Sequence, residues 1–168
     1  NEVVFDNVLV PKDRIVGEPG NGWQQVTSEL AYERSGPERF LSSFRVFVEL
    51  VRICGDDPSP HQAAAIGRIA SHFMTLRRMS LSVAGMLEAG KDVSVEAALV
   101  KELGNNFEKL LPEIARLVVP DLSAVDPDKQ RLFRETFEET LMLSPSFTLR
   151  GGTREIMRGV IARGLGLR

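Results

Sequence analysis

Apolar residues recur at helical spacing along most of this chain, and the breaks in that recurrence restrict how it can fold. Val26, Leu30, Leu41, Phe44, Val48 and Val51 follow one stripe as far as about Ile53. Ile66, Ile69, Phe73, Leu76, Val83 and Leu87 mark a second stripe that ends near Gly90, and Leu99, Leu103, Phe107, Leu110, Ile114 and Leu117 mark a third, with Ser94 as its expected N-cap. A fourth run covers roughly residues 128 to 143, and a fifth follows Thr153. Residues three, four and seven apart share one side of a helix, so each run predicts an amphipathic helix. The stretch CGDDPSPHQ separates the first two helices, and Pro120 with DLSAVDPDK separates the third from the fourth. Several helices with one apolar stripe each, joined by short connections, predict an all-α fold, an antiparallel helical bundle.

Residues 1 to 22 differ in kind. NEVVFDNVLVPKDRIVGEPGNGW is rich in Val, Phe and Leu and is broken by Pro11, Gly17, Pro19, Gly20 and Gly22, which predicts a short strand and loop leading into the bundle of residues 23 to 168. The chain starts at Asn1 within this strand-like stretch and is expected to be a piece of something longer.

Composition narrows the function classes. A chain of 168 residues with 43% hydrophobic content is large enough for one packed domain. The net charge is −2, from 21 Lys and Arg against 23 Asp and Glu mixed along the sequence, so no basic arm for nucleic acid is expected. Apolar runs fall short of the about 20 residues that a membrane span requires. Cys54 is alone, and His61 and His72 lack partners at metal-ligand spacing, so neither an internal disulfide nor a metal site is expected. These features predict a soluble, reduced, cytoplasmic protein.

Two places invite chemistry. The register through Val26 and Leu30 lands next on Glu33 and then on Pro37, putting an acid in a slot expected to face the core. Pro37 has no N–H for the carbonyl of residue 33, so a bend is expected at Glu33 and that carbonyl is left free. Such an acid is either the anchor of a salt bridge to Arg34, Arg39 or an arginine of a neighbouring helix, or a functional carboxylate. The second place is LRGGTREIMRG: Gly151 and Gly152 permit backbone conformations closed to other residues, Thr153 is a plausible N-cap, and N–H groups at a helix start attract phosphate. Arg150, Arg154 and Arg158 lie four apart, as a cationic ridge or as a solvated face.

The same residues carry a resemblance. GGTREIMRGVIARGLGLR is similar to the C-terminal signature of acyl-CoA dehydrogenases, NEVVFDNVLVPKDRIVGEPGNGW to the family's passage from its middle β-domain into its C-terminal helical domain, AYERSG to the first helix of that domain, and EAALVKELGNN to the third, with Lys101 at a recurrent lysine. The resemblance spans the chain. It implies that residues 1 to 22 end a β-domain lying mostly upstream, that FAD is the cofactor, and that an acyl-CoA thioester is dehydrogenated to its 2-enoyl product, as in the β-oxidation of fatty acids or steroid side chains.

Many members carry the catalytic base directly before the Gly-Thr pair, where this chain has Gly151. A smaller set, including isovaleryl-CoA dehydrogenase, carries it on the first helix of this domain, at the position matched by Glu33. The resemblance therefore implies Glu33 as base, Arg34 as its neighbour on the substrate side, and Gly151, Gly152, Thr153 and Glu155 as flavin contacts. An Arg-x-Phe-Gly segment of the family is replaced here by RICGDDPSPHQ, and a Gly-Gly-x-Gly segment by EETLMLSPSFTL. Similar losses occur in heteromeric bacterial relatives acting on steroid-CoA side chains, which implies a homo- or hetero-oligomer passing electrons to electron-transfer flavoprotein or a similar acceptor. A non-catalytic subunit of such a heteromer, and a helical oligomerisation module without activity, are the alternatives.

Overall fold

The computed structural model describes residues 2 to 167. Six helices follow in order: α1 (Gly22–Ser35), α2 (Phe44–Cys54), α3 (Pro60–Glu88), α4 (Ser94–Val118), α5 (Pro127–Phe147) and α6 (Arg154–Gly164), with short 3-10 turns at Lys12–Arg14, Pro37–Arg39 and Leu122–Ala124. The single first helix expected to run to Ile53 is two helices. Gly36 is extended (φ −65°, ψ 158°), as a residue before proline tends to be, and this ends α1 where a mere kink was expected.

Caps set several of the starts. Ser59 and Gln62 form a reciprocal capping box before Pro60, and Asp126 accepts from the N–H groups of Asp128 and Lys129 before α5. Ser94 is the first helical residue of α4 and not its cap; its N–H and hydroxyl both donate to Asp92.

Helix α4 runs through the middle and packs against every other helix. The main core joins it to α2, α3 and α5 through Val46, Leu50, Ile69, Phe73, Leu111 and Phe133, and a smaller cluster of Val83, Val93, Ala97 and Val100 lies nearer α1. The expected stripe of α4 is buried only in part: Phe107 lies in the main core and Ile114 packs against it. Leu103, Leu110 and Leu117 are exposed, while Lys101, Asn105 and Glu108 are fully buried. The polar residues that form the site are on the inward face.

Residues 2 to 21 form no strand. Val3, Val4, Phe5, Leu9 and Val16 are all exposed along an extended segment. A strand needs a neighbour for its backbone groups, and none is supplied by the described residues. Among the described residues, no helix is long and apolar enough to cross a membrane.

Candidate active site

Three segments meet around Glu33: the last turn of α1 with the Pro37–Arg39 turn, the buried face of α4, and the tight turn before α6. The chain reverses after Gly36, and the Arg39 side chain, 4% exposed, reaches back to the helix end. Its Nε donates to the Glu33 carbonyl at 2.7 Å, and its Nη2 donates to Glu33 Oε1 at 2.5 Å. The carbonyl left free by Pro37 is thus satisfied by a side chain two residues further on. The Arg39 backbone is in turn tucked against α4 at Gly104, where an added Cβ would lie 2.3 Å from Arg39 O. Only a glycine permits that approach.

The turn before α6 needs its glycines. Gly151 has φ +64° and Gly152 φ +104°, in the region that side chains disfavour. Arg34 Nε donates to Gly151 O at 3.1 Å, and Lys101 Nζ donates to Gly152 O at 2.5 Å. A Cβ on Gly151 would stand 3.1 Å from Glu33 Oε1 and 3.3 Å from Lys101 Cε, so the carboxylate fills the space beside this turn. A Cβ on Gly152 would instead press on Met157 Cε at 3.0 Å, inside the bundle.

The site is rich in cations for the acids it holds. Burial, with Arg39 and Arg34 nearby, pushes Lys101 down from 10.5 to about 8, against a smaller upward pull from Glu102. Burial also lowers Arg34, opposed by Glu33. Glu108, fully buried, is raised by burial even though its Oε1 accepts from Ser42 N at 2.6 Å and its Oε2 from Arg150 Nη2 at 3.0 Å. Arg154 and Arg158 both donate to Glu102. The three arginines spaced four apart are therefore each paired with an acid of α4 and form no free cationic ridge, with Arg150 and Arg154 half-buried and Arg158 exposed to solvent. Several buried polar atoms here have no protein partner, among them Arg39 Nη1, Glu102 Oε2 and both side-chain atoms of Asn105.

The structure brings Glu33, Arg34, Gly151 and Gly152 into one cluster. Thr153 stands at the N-cap of α6 without a side-chain cap bond, and Glu155 lies on the exposed first turn of that helix, its carboxylate lowered by its own N–H and by Thr153. Glu33 is expected on a buried stripe, yet its side chain is 42% exposed, and Val26, on the same side of α1 two turns earlier, is exposed as well, so the described residues leave that side of the helix only partly covered. Spacing did not single out Gly104, Glu102 or Glu108. Lys101 was noted only as a recurrent lysine, although a lysine on the inward face of a central helix is itself a signal that a buried acceptor awaits it.

His61 and His72 are exposed, and His72 stacks on Phe107 with ring centroids 5.0 Å apart. No group of three or more His, Cys, Asp or Glu is gathered for a metal among the described residues.

The bundle has the fold of the C-terminal helical domain of acyl-CoA dehydrogenases, and the chain is similar in sequence to acyl-CoA dehydrogenases over nearly all its own length. It is 31% identical to acyl-CoA dehydrogenase IpdE1 of Mycobacterium tuberculosis across 99% of this chain and 44% of the relative, and 26% identical to acyl-CoA dehydrogenase FadE34 of the same organism across 98% and 22%. It superposes on a glutaryl-coenzyme A dehydrogenase solved as its glutaryl-CoA complex with a TM-score of 0.71 at 19% identity, over 97% of this chain and 42% of that one. The chain spans less than half the length of these relatives. No family model matches it.

Proposed function

We propose that this chain is the C-terminal helical part of a FAD-dependent acyl-CoA dehydrogenase in which Glu33 removes the α-proton of an acyl-CoA thioester. The observation that carries the reading is the meeting of Glu33 Oε1 with the site of the absent Gly151 side chain, at 3.1 Å. A base on α1 and a base before the Gly-Thr pair, the two placements known in the family, then serve the same spot. When bound, FAD accepts the hydride from the β-carbon. The chain's own part is proton removal at the α-carbon by a Glu33 carboxylate oxygen, leaving the carbon–carbon double bond of the 2-enoyl thioester once the hydride has gone.

Arg34 and Lys101 hold the carbonyls of the 151–152 turn, which fixes the wall beside the base. FAD fits this chain along one wall only. Thr153 leaves the α6 N-terminus without a side-chain cap, and that helix start with half-buried Gly151 and Gly152 is the part able to meet an electron-rich group. The rest of such a site would come from outside residues 1 to 168.

A second reading has its own observation. The Glu33–Arg39 pair is also what a structural salt bridge looks like, as in a non-catalytic subunit of a heteromer. Exposed Trp23, Val26, Leu103, Leu110 and Leu117, and an apolar groove of about 540 Å³ lined by Phe40, Phe44, Phe73, Met74 and Leu81, support an oligomer under either reading. Flavin reduction by acyl-CoA in Glu33→Gln of the full-length enzyme separates the two, because the structural reading leaves that rate intact.

A further inference from the structure

We infer that Arg39 is the positioning residue for Glu33, fixing both the backbone and the carboxylate of the proposed base from a point outside its helix. The inference rests on the reading of Glu33 as the base.

Three observations support it. First, the contact is made at two points of one residue, the carbonyl at 2.7 Å and Oε1 at 2.5 Å, so the guanidinium fixes the end of α1 and the side-chain direction together. Second, the arginine is 4% exposed while the acid is 42% exposed. The rigid, buried partner thus holds a carboxylate that still faces open space, which a general base requires and a purely structural ion pair does not. Third, Arg39 Nη1 is buried without a partner. A buried donor left unmatched costs stability, so the placement of this side chain is not the one that maximises its own hydrogen bonding.

The arginine is held in turn. Its backbone carbonyl abuts α4 at Gly104, and Glu38 Oε1 lies 3.9 Å from its Nε. Gly36 and Pro37 set the reversal that aims it back at Glu33. The segment ERSGPER is therefore one unit: base, helix end, reversal and anchor within seven residues.

The test uses the full-length enzyme with its flavin, and compares Arg39→Gln, Arg39→Lys, Glu33→Gln and the double variant Arg39→Gln/Glu33→Gln. Two rates are read. One is flavin reduction by acyl-CoA; the other is α-proton loss from an acyl-CoA analogue with sulfur at the β-position, which has no hydride to give, followed through the absorbance of its anion against oxidised flavin. Binding of the 2-enoyl-CoA product and flavin content serve as controls. Arg39→Gln is expected to slow both rates by roughly 10- to 100-fold, less than or up to the ~10²-fold lower bound for losing the base itself, with product binding and flavin content unchanged. Arg39→Lys keeps the charge but cannot reach both acceptors, and is expected to recover part of the rate.

The double variant is expected to be no slower than Glu33→Gln alone, since Arg39 acts through the acid it holds. If Glu33→Gln is slow but both Arg39 variants run at the wild-type rate, the positioning role is overturned and the base stands. If Glu33→Gln itself runs at the wild-type rate, the base reading fails. Losses that multiply in the double variant also overturn the inference, because they place the effect of Arg39 elsewhere. Should Arg39→Gln not fold, Arg39→Lys decides: an intermediate rate supports the role and a wild-type rate overturns it.

Discussion

Glu33 occupies the space that a side chain on Gly151 would need, with its Oε1 3.1 Å from the position of that missing Cβ. Residues 118 apart in sequence therefore exclude one another: a larger group at 151 must displace the acid.

Gly151→Ala is the simplest probe of that exclusion. The residue sits at φ +64°, where a side chain costs about 1–3 kcal/mol, and its Cβ would also press on Lys101 Cε. A lower melting temperature is expected in this chain, together with slower flavin reduction in the full-length enzyme. An unchanged melting temperature would contradict the described turn. Gly151→Glu in the Glu33→Gln background restores an acid at the same spot under the same strain, and partial recovery of flavin reduction is expected.

Gly104→Ala tests the seat of Arg39. Replacing a mid-helix glycine by alanine ordinarily helps, by about 1 kcal/mol. Here the new Cβ would lie 2.3 Å from a backbone oxygen, which cannot rotate away, so the overlap outweighs the propensity. A net loss of roughly 1–3 kcal/mol is expected, seen as a lower midpoint in thermal or urea unfolding.

The fold was largely legible because helical spacing survives any arrangement of neighbours. What spacing cannot tell is which side of a helix faces inward when both sides are mixed. In α4 the leucine stripe of Leu103, Leu110 and Leu117 is exposed, and the inward side carries Lys101, Asn105 and Glu108. The cause is position: α4 packs against all five other helices along most of its circumference while one strip stays exposed, and polar residues such as Lys101 and Glu108 can be buried on the packed sides when paired. The stripe through Val26 and Leu30 predicts a buried Glu33, and that part of the expectation does not hold. Because α1 is only partly covered the acid is half-exposed, and its surroundings are set by the proline four positions on and the arginine two further. Gly151 and Gly152 were legible as a turn; the two cations that hold its carbonyls come from α1 and α4, and no local pattern links those to residue 151.

Lys101 makes stability depend on pH in a defined window. Its ammonium has a pKa of about 8 in the folded chain against an ordinary 10.5, so between these values the unfolded chain holds the extra proton. The contribution of this group to stability therefore rises from about pH 8 to about 10.5, is fully present above that, and is lost as pH falls through 8. Melting temperatures of wild type and Lys101→Met isolate it from other groups titrating in the same range. The difference, wild type minus variant, is expected to be larger at pH 10 than at pH 7. A difference that is flat across that interval would contradict a buried, desolvated lysine.

The 168-residue chain alone is expected to melt as a helical domain, to retain no flavin after purification and to self-associate through its uncovered apolar faces. Circular dichroism, the visible absorbance spectrum and light scattering check these in turn. A stoichiometric flavin spectrum would contradict the one-wall site, and a strictly monomeric species would contradict the association.

The most direct measurement is rapid-mixing flavin reduction by acyl-CoA in Glu33→Gln of the full-length enzyme, with any partner subunit it requires. Glutamine keeps an acceptor for Arg39 and most of the packing, and with the acid side chain 42% exposed the cost to stability is expected to be at most about 1 kcal/mol. Loss of flavin, loss of product binding and collapse of the fold are therefore not expected to obscure the result. The account predicts bleaching of the oxidised-flavin band at least ~10²-fold slower than wild type with 2-enoyl-CoA still bound, and bleaching at the wild-type rate would contradict the assignment of Glu33 as the base.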